Sequence, residues 1–195
     1  VQAYRKIGEA MVNRIESNIE VEYKYWAKMS KEEFQSRVEF ALDSISEPEY
    51  VVSCDDYYRV KDGDMFLRYR KGGNTRELTL KIKEKENVIR KEINLSMSGN
   101  DDSSVVEFLK LSGYTKEFSV FKEAWIWFLD EAGVDISYYT LSDGRSVIEI
   151  EASGCNNRET AEAIINNWEK FLGLSSKERE KRSLLEIFLS EGASR

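Results

Sequence analysis

Charged residues recur at every second position in several short runs: Glu20, Glu22 and Lys24; Arg68 and Arg70; Lys81 and Lys83; Arg90 and Glu92; Glu149 and Glu151. In an extended strand, residues two apart share a face. Each run therefore carries its charges on one side and a largely apolar set on the other. Ile19, Val21 and Tyr23 oppose the first run, Leu80 and Ile82 the Lys81 run, and Ile148 and Ile150 the last, while Lys91 interrupts the apolar side of the Arg90 run. For one strand alone, a half-buried sheet with a solvated face is the plainer reading. Here the signs are segregated by strand, with acids on the first and last runs and bases in the middle. A solvated face tends to mix signs, because like charges side by side repel. Turned inward, such a surface would hold a divalent cation at its carboxylates and a polyanion at its Arg and Lys.

Other chemistries are excluded. The chain has no histidine, which removes imidazole bases, Ser–His and Cys–His nucleophiles and His-ligated zinc. Carboxylates, Lys, Arg and a hard metal remain. Cys54 and Cys155 lie far apart without CxxC spacing and read as reduced thiols of a cytoplasmic protein. With 29 basic and 36 acidic residues the net charge is −7, which argues against a general DNA binder. No apolar run approaches the ~20 residues of a membrane span, and no signal-peptide pattern is visible.

The 195 residues, 41% hydrophobic and 33% charged, fit one domain. Helical spacing covers Tyr4 to Ile15, and Ser30 with Glu33 caps a helix carrying Phe34, Val38 and Leu42 on one face. Strands are expected at Ile19–Trp26, Tyr50–Tyr58, Asp64–Lys71, Arg76–Glu84, Val88–Met97, Lys116–Asp130, Val134–Leu141 and Ser146–Ala152. A short helix fits Ser103 to Leu111, and two amphipathic helices follow the strands, at about Asn157–Leu172 and Ser176–Leu189. Short turns join most consecutive strands, so the class is α+β with antiparallel pairing. Trp125, Trp127 and Phe128 read as a packing surface for helices.

Glu20-Val-Glu22-Tyr-Lys24 resembles the ExExK opening of the CYTH group of triphosphate tunnel metalloenzymes. The resemblance continues in family order through Asp55-Asp-Tyr-Tyr58, Leu67-Arg-Tyr-Arg70, Leu78-Thr-Leu-Lys-Ile-Lys83, Arg90-Lys-Glu92 and Glu149-Ile-Glu151. It covers roughly 18–173, with 1–17 as a helical extension and 174–195 as a C-terminal helix that offers a homodimer contact. The resemblance implies a closed antiparallel tunnel of eight strands with helices packed outside. It implies Mg²⁺ or Mn²⁺ on Glu20, Glu22, Glu149 and Glu151, and phosphate held by Lys24, Arg68, Arg70, Lys81, Lys83, Arg90 and Lys122. Glu149, Glu151 and Lys24 would serve catalysis, and Glu92 would pair with Arg90. The implied activity is hydrolysis of the terminal phosphate of inorganic triphosphate, a nucleotide, thiamine triphosphate or an RNA 5′ end. Two departures stand out: Ala124 replaces the second cation of a Lys-x-Arg pair, and Tyr139 stands where an Asp is common. They support the alternative of a tunnel that binds polyphosphate without turnover. A class IV adenylyl cyclase ranks lower, because its His-Phe signature is absent.

Overall fold

The computed structural model describes residues 19–43, 47–59, 65–83, 90–129, 132–155 and 157–192. Within these, the side chains of 19–20, 65, 81–83, 90–92, 153 and 192 are outside the description. The helix expected at Tyr4–Ile15 lies outside the described residues.

All eight expected strands are present: β1 (Ile19–Trp26), β2 (Glu49–Arg59), β3 (Met65–Gly72), β4 (Thr75–Lys83), β5 (Arg90–Ser96), β6 (Thr115–Leu129), β7 (Val134–Leu141) and β8 (Ser146–Cys155). Every pairing is antiparallel. Gly73, at φ +49°, occupies the left-handed position of the tight β3–β4 turn, where a side chain would be strained.

The sheet differs from the expected closed tunnel in one respect. Its order is β5-β4-β3-β2-β6-β7-β8-β1-β9, and among the described residues hydrogen bonds do not join the two ends. Part of the β1 edge is taken by β9 (Arg179–Glu180), a ninth strand of two residues. It pairs with Lys24 and Tyr25 on the outer edge of β1, the edge that closure would have given to β5.

Helices α1 (Lys31–Leu42) and α3 (Arg158–Leu172) cover the outer face of β1 and β6–β8. Phe34 and Val38 from α1, and Ile165 and Leu172 from α3, pack with Val21, Trp127, Ile136, Ile148 and Ile150. Trp127 thus belongs to the packing surface, as its spacing suggests. Caps fix where these helices start: Ser30 accepts from the Glu33 amide at 3.2 Å and Asn157 from the Thr160 amide at 2.8 Å. Helix α2 (Asp102–Leu111) presents Val105 and Leu109 to Tyr58, Leu67, Tyr69 and Leu78 on the outer face of β2–β4.

The segment expected as one helix from Ser176 to Leu189 is divided. A 3-10 turn (Ser176–Glu178) leads into β9, and helix α4 runs only from Leu184 to Gly192. Arg179 leaves the helical path because its guanidinium forks onto Glu169 of α3 at 2.6 and 2.9 Å and stacks 3.8 Å over the Tyr23 ring. Ser183 and Glu186 then exchange backbone amide bonds, a capping box that starts α4 afresh.

Unlike the other three helices, α4 lies against the inner, concave face. Leu184, Leu185 and Ile187 join Tyr57, Val120, Ala124, Tyr139, Leu141 and Val147. Phe188 sits 5.7 Å from Phe118, which stacks on Tyr57. Arg145, over both Trp26 and Phe188, forks onto Glu191 at 2.7 and 2.9 Å. One end of the concave face is thereby filled with apolar side chains.

Candidate anion and metal site on the concave face

Strand phase decides which side chains share this face. Lys24 pairs with Glu149 and Glu22 with Glu151 across β1 and β8. Asp55 pairs with Arg70 across β2 and β3, Tyr57 with Arg68, and Ser53 with Lys122 across β2 and β6. Acids and bases predicted on separate strands therefore meet on one surface.

On the acidic side, the Lys24 ammonium contacts the Glu22 carboxylate and lies 2.9 Å from Glu149 Oε1. The Tyr139 hydroxyl donates to the same Glu149 oxygen at 2.9 Å. Burial opposes ionisation of Glu149, but Lys24, Lys122 and these two hydrogen bonds bring its pKa down to about 2. Burial, then the Glu149 charge, pushes the Tyr139 phenol well above its ordinary value, so it stays a donor.

The basic side is built around Asp55, which has no accessible surface. Arg70 donates to it through Nε at 2.7 Å and Nη2 at 2.9 Å, and Lys122 Nζ lies 3.0 Å from its Oδ2. Burial alone would raise the Asp55 carboxyl, but Lys122 and Arg70 outweigh it and hold it well below the usual carboxylate range. Burial lowers the Lys122 ammonium, and Arg70 and Arg68 add to that against the pull of Asp55. Lys122 also lies 5.1 Å over the Tyr139 ring, which links the basic side to Glu149.

Arg68 completes the group. Its Nη2 donates to Thr79 Oγ1 at 2.9 Å and to Glu77 Oε1 at 3.2 Å. Its Nε is buried and has no hydrogen-bond partner among the described residues. A buried donor left unpaired costs about 1–3 kcal/mol, so a ligand oxygen at this place would be favoured.

Of the residues named from sequence, the structure gathers Glu22, Lys24, Arg68, Arg70, Lys122 and Glu149 on this face, with Glu151 opposite Glu22. Glu20, Lys81, Lys83 and Arg90 are placed only by backbone: Glu20 in β1, Lys81 opposite Glu92, and Lys83 opposite Arg90 in the β4–β5 ladder. Sequence reasoning quoted Asp55 within a motif without giving it a role, and missed Thr79 and Glu77 behind Arg68. It also passed over Asp135, which pairs with Glu151 and so continues the acidic row from Glu22. The alternation Asp55-x-Tyr57 and Asp135-x-Ser137 carried the signal in both cases.

The acidic donors are all oxygens, the type that suits Mg²⁺ or Mn²⁺. Among the described residues no three acids converge closely enough to hold a metal ion by themselves.

No family model matches the chain. No curated protein matches its sequence. Solved structures do match. A conserved hypothetical protein from Pyrococcus furiosus is 26% identical with a TM-score of 0.71, covering 86% of this chain and 98% of that one. The PH1012 protein from Pyrococcus horikoshii is 23% identical with a TM-score of 0.74 over the same shares, 86% and 98%. A Vibrio parahaemolyticus protein, provisionally assigned as an adenylate cyclase, is 21% identical with a TM-score of 0.67 over 88% of this chain and 98% of that one. What they share is the fold. The α+β fold that the CYTH resemblance implied is thus one that solved structures share. Among the described residues no helix is long and apolar enough to cross a membrane.

Proposed function

We propose that the chain is a divalent-metal-dependent triphosphatase acting on a triphosphate group held against the concave face. The observation that carries this reading is the cluster of buried Lys24, Arg68 and Lys122 with half-buried Arg70, and the Arg68 Nε unpaired among the described residues. Cations are crowded in this way at a cost, and a phosphate chain offsets it with several charged oxygens at once. Guanidinium forks suit phosphate oxygens in particular.

One or two of the acids named from sequence, Glu20, Glu22, Glu149 and Glu151, would hold Mg²⁺ or Mn²⁺ together with waters and phosphate oxygens. When bound, the ion would supply charge neutralisation and Lewis-acid polarisation of a phosphoryl oxygen. The chain's own residues do the rest. Arg68, Arg70 and Lys122 bind and orient the phosphates, Lys24 bridges toward the acids, and Glu149, ionised at neutral pH, accepts a hydrogen bond from an incoming water. Phosphoryl transfer rests mainly on positioning and electrostatics, so the lack of histidine is no obstacle.

Phosphate release from inorganic triphosphate, ATP, thiamine triphosphate and triphosphorylated RNA, with Mg²⁺ and Mn²⁺ in turn and with chelator, tests the proposal. Release from at least one substrate that stops on chelation is expected. A second reading, a binding module without turnover, is favoured by Tyr139, whose hydroxyl occupies one side of Glu149. Tight tripolyphosphate binding with no release under either metal would decide for it.

A further inference from the structure

We infer that Asp55 is a positioning residue of the anion site, holding Arg70 and Lys122 together so that both bind one phosphate group. The inference rests on the anion site proposed above and adds the residue that organises it.

Three observations support it. Asp55 is the common acceptor of two cations from different strands, Arg70 of β3 and Lys122 of β6. Arg70 spends Nε and Nη2 on it, which fixes the guanidinium plane and leaves Nη1 without a protein acceptor among the described residues. Burial is graded as well: Asp55 has no exposed side-chain surface, while the Arg70 side chain keeps 32%. Arg70 thus stands between the carboxylate and the solvent, with Lys122 buried beside it, and a phosphate meets the cations rather than Asp55.

Asp55 also offsets crowding. Lys122 faces Arg68 and Arg70 of β3, Asp55 of β2, Tyr139 of β7 and Glu149 of β8, and its burial works against the charged form. Removing Asp55 would not simply add positive charge. It would free the Arg70 plane and leave the buried Lys122 facing Arg70 without their shared counter-charge.

Calorimetric titration with tripolyphosphate on a set of variants tests this. D55N is expected to lose about tenfold in affinity. If it acts through the two cations, the same change should cost less than about twofold in an R70Q background and in a K122M background. A purely structural role would cost the same in all three. D55E covers the case in which D55N fails to fold, as judged by circular dichroism. It keeps the charge but shifts it by one methylene, so it too should lose affinity in the parent and little in either background. Equal losses in any background, or binding tighter than the parent, would overturn the inference. A folded parent that binds no tripolyphosphate would instead sink the proposed anion site, and the inference with it.

Discussion

Ala124 and Tyr139 face each other across β6 and β7, their Cα atoms paired in the ladder. They are the two positions read from sequence as departures from the CYTH pattern, and the ladder places them side by side. Both side chains are buried beneath α4, and the Tyr139 hydroxyl reaches Glu149 at 2.9 Å.

Exchanging only one of the pair should be costly. Ala124→Arg would overpack the cluster beneath α4, and Tyr139→Asp would bury a second carboxylate against Glu149. Each is expected to lose about 2–4 kcal/mol of stability. In the double variant the new Arg and Asp can pair, so the loss should fall well short of the sum. Denaturant unfolding of the four proteins measures this, and additive losses would show that the two positions are independent.

Tyr139→Phe removes one of the bonds that depress Glu149. A carboxylate lowered from 4.5 to about 2 stabilises the fold fully above about pH 4.5, and that stability is lost as pH falls toward 2. The variant should therefore lose less stability than the parent across this interval. Urea midpoints at several pH values from 2 to 6 test this, and identical slopes would mean that the hydroxyl does not hold Glu149.

Arg70→Ala strips Asp55 of its forked partner while leaving the carboxylate buried. Loss of about 3 kcal/mol is expected, together with weaker tripolyphosphate binding. Thermal melts with and without tripolyphosphate report both effects. Parent-like behaviour in both would show that this pair carries neither stability nor affinity.

Arg179→Leu tests what holds the C-terminal segment. Arg179 forks onto Glu169, which also accepts from the Tyr25 hydroxyl, and β9 brings Glu180 to the Trp26 indole at 3.2 Å. Detaching β9 should lower stability by about 3 kcal/mol and expose Trp26 to water. A red shift in tryptophan emission at neutral pH is the expected sign. An unshifted spectrum with intact stability would show that the fork does not anchor the segment.

Much of the fold was legible because alternation is a local property. Glu22 with Lys24, and Arg68 with Arg70, could each be assigned to one face of their strand from spacing alone, and the ladders then bring these faces together with Glu149. The rest depended on contacts between distant segments. Nothing local in Ser176–Leu189 shows that Arg179 will abandon a helix for Glu169, although Ser183-Leu-Leu-Glu186 does carry a readable capping box. Sheet closure was likewise not decidable by counting strands, because part of the β1 edge is taken by a two-residue strand too short to stand out in any pattern. Asp55 was visible as a residue. Its importance arises only where Arg70 and Lys122 arrive from other strands.

The position of β1 has a kinetic consequence. Its ladder partners are β8 on one side and β9 on the other, both made long after it. While the intervening chain is synthesised, Ile19–Trp26 has no native neighbour to pair with. Such distant pairing raises the mean sequence separation of contacts and slows folding. The hydrogen-bonded sheet can be completed only once the C-terminal segment is available, so final assembly is expected late in synthesis, and chaperones that shield an unpaired strand would matter most in that interval.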